Sequence, residues 1–191
     1  MFIQTETTPN PNVLKFLPGR PVSPDAALEY RTIDEAEASP LAEALFSIEG
    51  VERVFFGPDF VAVTRAEGPA GWTEMQGSVI GAIMDHFSAG APLVRGEAAA
   101  AAEDDHADYT GEAAEIVAEI KALLDSRIRP AVAQDGGDIL FDRFEADSGT
   151  LWLRMRGACS GCPSSSATLK AGVENMLRHY VPEVERVEQS L

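Results

Sequence analysis

Cysteine is scarce in this chain. There are two in 191 residues, Cys159 and Cys162, too few for the disulfide framework that staples small secreted domains. Cations are also in short supply, with 15 Lys and Arg against 31 Asp and Glu and a formal net charge of −16. That balance argues against a nucleic-acid partner, because binding phosphates needs clustered Lys and Arg that release counterions, and no such cluster occurs. The apolar stretches are broken by charge, Gly or Pro well short of the roughly 18 residues of a membrane span. No G-x-G-x-x-G and no Lys-Ser/Thr-terminated glycine loop is present, which excludes the common nucleotide cradles. The opening Met1-Phe2-Ile3-Gln4-Thr5-Glu6 lacks the basic and apolar regions of a secretory signal and the Arg-rich look of a transit peptide. The expectation is therefore a cytoplasmic chain in a reducing compartment, with a mature mitochondrial form as the alternative.

What is present suits compact domains: 45% of residues are hydrophobic and 24% charged, enough apolar side chains for one or two cores. The acidity is uneven. Residues 1–96 carry a net charge of −7, residues 97–115 another −7 with no basic residue, and residues 116–191 only −2. Within residues 97–115 the stretch Glu97 to Asp108, with the alanine run 98–102 inside, has no large apolar side chain to anchor it and reads as an interdomain linker, given as 96–111. Two domains follow, 1–95 and 112–191, with no internal repeat between them.

In the first domain the pattern predicts strands over 2–7 and 13–17 around the Pro9-Asn10-Pro11-Asn12 turn. Ser39-Pro40 offers an N-cap and first-turn proline for a helix carrying Leu41, Leu45 and Ile48, with Gly50 as its stop. A second hairpin, 51–56 and 60–64, flanks Gly57-Pro58-Asp59. Trp72, Met75, Val79, Ile83 and Phe87 then line one face of a longer helix. In the second domain Thr110 is the expected N-cap of a helix with the stripe Ile116, Ile120, Leu123 and Leu124, running towards Pro130. Gln134-Asp135-Gly136-Gly137-Asp138 supplies a turn, and 139–144 and 151–156 make a hairpin with Leu151, Leu153 and Met155 on one face and Trp152, Arg154 and Arg156 on the other. Pro163 opens a last helix with the stripe Leu169, Val173, Met176, Leu177 and Tyr180, and 184–189 closes the sheet. The fold class is α+β: two small α+β domains.

Both cysteines fall in the loop between the hairpin and the last helix. There the positive end of the helix lowers thiol pKa and favours the metal-binding thiolate, and Arg154 and Arg156 add to that field. Gly161 permits a tight turn, and a two-residue spacer lets both sulfurs reach one iron or zinc. Two thiolates are half of the four-thiolate shell that an iron–sulfur cluster takes, so a metal reading requires a second chain. Spacing alone suits thiol–disulfide exchange equally well, and zinc-dependent assembly is a third reading. A thioredoxin-like domain would need another hairpin and a closing helix after the motif, where this chain offers one short strand, so a metal site is the better supported reading. The other candidates have plainer explanations. His86 reads as a surface or boundary residue, His106 as part of the linker, and His179 as a helix-end cation. Asp135 and Asp138, flanking two glycines, read as turn residues rather than an acid–base pair. Trp72, Met75, Met84, Trp152 and Met176 read as core or interface.

The segment Gly157-Ala158-Cys159-Ser160-Gly161-Cys162-Pro163-Ser164-Ser165, followed by Thr168-Leu169-Lys170 and preceded by Asp135-Gly136-Gly137-Asp138, resembles the C-terminal domain of NifU and the Nfu-type iron–sulfur proteins. The opening, from Ile3-Gln4-Thr5-Glu6-Thr7-Thr8-Pro9-Asn10-Pro11-Asn12 to Val13-Leu14-Lys15-Phe16, is similar to the N-terminal domain of the same proteins. The resemblance covers nearly the whole chain outside the acidic linker. It implies a non-enzymatic scaffold or carrier whose Cys159 and Cys162, paired with those of a second copy, hold a [4Fe-4S] cluster in a homodimer formed through the C-terminal domain. It also implies an upstream cluster donor and apo iron–sulfur proteins as recipients, with no nucleic acid and no membrane involved.

Overall fold

The computed structural model describes residues 2–24, 26–68, 71–95, 109–160 and 163–190. The segment proposed as linker lies mostly outside these. The chain divides into two compact units, Met1–Ala102 and Glu103–Leu191. Both contain helices and sheet, an α+β fold as the patterning predicts.

The first unit opens with β1 (Gln4–Thr7) and β2 (Val13–Leu17), followed by β3 (Leu28–Tyr30), α1 (Ile33–Ala36), α2 (Pro40–Phe46), β4 (Val51–Phe56), β5 (Val61–Arg65) and α3 (Trp72–Ala89). The strands form an antiparallel sheet in the order β1-β2-β5-β4-β3. Both expected hairpins are present. In the first turn Asn10 accepts from Asn12 N–H through its side chain at 3.0 Å and from Val13 N–H through its carbonyl at 2.9 Å, the local bonding that makes Asn a turn residue. Ser39 caps α2 by accepting from Ala42 N–H at 3.2 Å. Phe16, Val54, Phe56, Val61 and Val63 from the sheet meet Leu41, Leu45, Val79 and Ile83 from the helices in one core. Strand β3 has too short a pattern to read from sequence, and its pairing with β4 makes it a strand. His86 departs from expectation: it is buried on α3, edge-on to Phe87 with ring centroids 5.2 Å apart. Burial, and the Arg20 charge after it, hold its pKa below the ordinary histidine value.

The second unit runs α4 (Glu112–Leu123), a π-helical turn (Leu124–Ile128), α5 (Arg129–Gln134), β6 (Gly137–Glu145), β7 (Thr150–Gly157), α6 (Pro163–Tyr180) and β8 (Arg186–Ser190). β7 is central, antiparallel to β6 and parallel to β8. Four expectations are corrected here. Thr110 is not the N-cap, because α4 begins after Gly111, whose φ of +62° a threonine would adopt only under strain. Pro130 does not end the helical run. In a regular α-helix its ring would press on the carbonyl of Ser126, but the wider turn, in which Arg129 N–H reaches Leu124 O, carries the backbone past it. The buried stripe is consequently Val117, Ile120, Leu124, Ile128 and Val132, while Ile116 and Leu123 pack only partly against it. On α6, Val173 and Leu177 are buried, but Met176 and Tyr180 are exposed, contrary to their assignment to the stripe. Tyr180 is held at the surface by Arg127, whose guanidinium lies 4.9 Å from its ring centroid and donates to its hydroxyl at 3.1 Å. Leu151, Leu153 and Met155 point into the core, with Trp152, Arg154 and Arg156 on the opposite face, as the alternation predicts.

Candidate metal centre

The sequence places both candidate ligands after β7. Cys159 is among the described residues; Cys162 and Gly161 lie outside them. β7 ends at Gly157 with φ +62°, a conformation that turns the chain off the sheet and favours glycine. Ser160 N–H then donates to Gly157 O at 3.0 Å, and Ala158 N–H donates across to Gly136 O at 3.1 Å. The second bond joins the cysteine loop to the Asp135-Gly136-Gly137-Asp138 segment, and the strand register pairs Gly137 with Gly157 beside it. Cys159 is 5% exposed and belongs to the core cluster of the unit.

The glycine-containing segment is in turn anchored to the helix before it. Asp138 is buried, and its carboxylate accepts from Arg129 Nε at 2.8 Å, Arg129 Nη2 at 2.9 Å and Ile139 N–H at 2.9 Å. Arg129 also donates to Asp125 at 2.9 Å. The bond to Asp138, more than the charges around it and against the cost of burial, raises the pKa of Arg129 above its ordinary value and keeps it cationic. The reading of Asp138 as a turn residue is therefore corrected: a doubly donating guanidinium satisfies a buried carboxylate and fixes where β6 begins. Asp135 is the exposed turn residue it was expected to be. Arg154 donates to Asp142 at 2.7 Å, which offsets its charge and weakens the expected contribution to a positive field at the cysteines.

Among the described residues no three His, Cys, Asp or Glu side chains gather as a metal site. His86 belongs to the first unit, and His179 is exposed on α6. The candidate donors in the sequence are two cysteine sulfurs, of which Cys159 is described, and sulfur is a soft donor that suits iron with sulfide or zinc.

Two family models match the chain. The one described as "Scaffold protein Nfu/NifU N terminal" covers residues 3–90, and the "NifU-like domain" covers residues 120–188. The chain is 51% identical over 189 residues to NifU-like protein 4, mitochondrial, of Arabidopsis thaliana, covering 99% of this chain and 66% of that protein. It is 49% identical over 193 residues to the NFU1 iron-sulfur cluster scaffold homolog, mitochondrial, of Homo sapiens, covering 99% and 72%. The chain belongs to the Nfu/NifU scaffold-protein family.

For this Nfu/NifU protein, the N-terminal family match spans the five-stranded sheet with its helices, and the NifU-like match runs from the last turn of α4 into β8. Both relatives are named as mitochondrial. Residue-level reading missed Arg129. An arginine next to a proline in a helical run gives no sign that a wide turn will aim it at a carboxylate nine residues on. The nearest available signal was Asp138 itself, which follows two glycines yet begins an apolar strand and so had to find a partner.

Proposed function

We propose that this protein is an iron–sulfur cluster scaffold and carrier rather than an enzyme. Cys159 and Cys162 of each of two subunits complete a four-thiolate shell around a [4Fe-4S] cluster, the cargo, which passes intact to apo-proteins. The observation that carries this reading is the setting of Cys159: the first thiol of the only pair in the chain, at the junction of β7 and α6 in a NifU-like domain. Membership of a family described as scaffolds supports the role. Two thiolates per chain and four per cluster require a symmetric dimer with the cargo on its axis. A cluster shared between two loops is more open to a recipient than one enclosed in a single fold.

In this reading the chain forms two domains, 1–95 and 112–191, joined by the acidic segment 96–111, and the first domain recognises donors or recipients. Homodimerisation through the second domain accompanies loading. The compartment is a reducing one, with the names of the relatives favouring the mitochondrion.

The test is anaerobic incubation of the full chain with ferrous iron and sulfide, followed by metal analysis and mass measurement in solution. The expected product contains about four irons and four sulfides per dimer, the stoichiometry of a four-thiolate cubane. Cys159→Ser should abolish it. Persistence of the cluster in that variant would overturn the assignment. A monomer that reduces disulfides, or one zinc per dimer with no cluster, would support the two competing chemistries.

A further inference from the structure

The turn that carries Cys159 leans on the segment before β6. Ala158 N–H donates to Gly136 O at 3.1 Å, and Gly137 stands so close to the cysteine that a Cβ built on it would lie 2.6 Å from Cys159 Sγ and 3.2 Å from Cys159 Cβ. Gly136, at φ +80°, takes a conformation that side chains resist. A shift of the segment 135–138 therefore acts both on the residue before the first thiol and on the backbone packed against its sulfur.

That segment is held at both ends by one helix. At its start, Asp135 N–H and Gly136 N–H donate to Val132 O and Ala133 O of α5 at 3.1 and 3.0 Å. At its end, Asp138 is gripped by Arg129, the first residue of the same helix, through Nε at 2.8 Å and Nη2 at 2.9 Å. Residues 129–138 thus close into a loop. The grip fixes orientation as well as distance, because two N–H donors of one rigid plane meet the two oxygens of one carboxylate. A lysine could match the charge but not that geometry. The π-helical turn 124–128 aims the guanidinium: one extra residue in a turn rotates all that follows by about 100° relative to a regular α-helix. Asp125, accepting from Arg129 Nη1 at 2.9 Å, steadies it from the other side of that turn.

We propose that Arg129 is a positioning residue for the cluster ligand Cys159. Acting through Asp138, it fixes the segment 135–138 against which the cysteine turn packs, and so sets where the sulfur stands relative to its domain. A ligand whose orientation depends on a partner outside the coordination shell binds about 10–100-fold less well once that partner is lost. This role is separate from stability: a pair that only stabilised the fold would change the unfolded fraction and leave folded chains alone. The inference rests on the reading of Cys159 as half of a shared site, whereas the path from Arg129 to Ala158 consists of contacts within one chain.

The test compares the full-length chain with Arg129→Gln and Arg129→Lys under conditions where circular dichroism shows all three folded. In the metal-free proteins, hydrogen exchange of the Ala158 amide is read by NMR against the slowest amides of the second unit, which report global unfolding. Arg129→Gln should accelerate Ala158 by a factor at least about tenfold larger than the factor for those amides, and Arg129→Lys should fall between. After anaerobic reconstitution, loss of the cluster to 2,2′-bipyridyl should be at least about tenfold faster in Arg129→Gln than in the unmodified chain. Ala158 accelerating only as much as the slowest amides would make the pair a stabilising contact and overturn the proposal, as would a loosened Ala158 with an unchanged cluster lifetime. Restoration of both readouts on adding Asp138→Asn to Arg129→Gln would trace the effect to an unpaired charge rather than to position, and would also overturn it. Should Arg129→Gln not fold, Arg129→Lys carries the same comparison with the same outcomes. No cluster in the unmodified chain, with Ala158 responding as expected, would overturn the scaffold reading and leave the link from Arg129 to the cysteine turn standing; a cluster in the unmodified chain, with Ala158 unmoved by either variant, would do the reverse.

Discussion

Replacing Arg129 by Gln removes both guanidinium bonds to Asp138 and leaves its carboxylate with one donor, Ile139 N–H at 2.9 Å. One-sided removal of a fully buried ion pair costs about 3–5 kcal/mol. Here the Asp138 side chain is 8% exposed but that of Arg129 is 36% exposed, so solvent screens the pair and rehydrates part of what is lost, and about 2 kcal/mol is the expected loss. In a domain of this size that lowers the melting temperature by roughly 8–16 °C. Trp152 lies in the affected unit and Trp72 in the other, so a Trp72→Phe background lets urea unfolding of the second unit be followed by fluorescence alone. Asp138→Asn should cost a similar amount, and the double variant less than the two together, since both remove one interaction. Asp125→Ala is the control: its side chain is 65% exposed, and its removal should cost within about 0.5 kcal/mol. A loss below about 0.5 kcal/mol for Arg129→Gln, or strict additivity with Asp138→Asn, would refute the claim that this pair anchors the turn beneath Cys159.

Two further perturbations concern the first unit. Burial holds the pKa of His86 below the ordinary 6.5, so below that pH the unfolded chain takes up a proton that the folded chain refuses. The unit should be at full stability above about 6.5, lose stability as pH falls below it, and level off once the folded-state pKa is passed. His86→Gln should flatten the urea midpoint between about pH 7.5 and 5.5, and an unchanged slope would show that another group is responsible. Ser39 is fully buried and caps α2 through Ala42 N–H; Ser39→Ala should cost about 1–2 kcal/mol in urea unfolding. A neutral Ser39→Ala would mean that α2 does not depend on its N-cap.

The elements that sequence made legible are those with local causes. Ser39-Pro40 places the start of α2 because a hydroxyl acceptor and a missing N–H both suit a helix terminus. The alternation of Leu151, Leu153 and Met155 with Trp152, Arg154 and Arg156 fixes the faces of β7 because strand side chains alternate. The pair Cys159 and Cys162 and its helix-start setting are equally local, so sequence alone names them as candidate ligands, although their spacing suits thiol–disulfide exchange equally well.

What sequence could not supply depends on how segments pack and pair once the chain has folded. His86 looks like a polar residue on a helix until the core closes around it. Pro130 looks like a helix stop until an extra residue in the preceding turn carries the backbone past it. Asp138 looks like part of a turn until Arg129 arrives from the other side. Cys159 packs against Gly137 only because β6 and β7 pair in a register that brings Gly137 opposite Gly157. Residue type and spacing therefore determined the chemistry available to this protein. Tertiary structure decided where one of its two thiols rests, because the space around a sulfur is set by the register in which β6 and β7 pair and by the turn that follows β7.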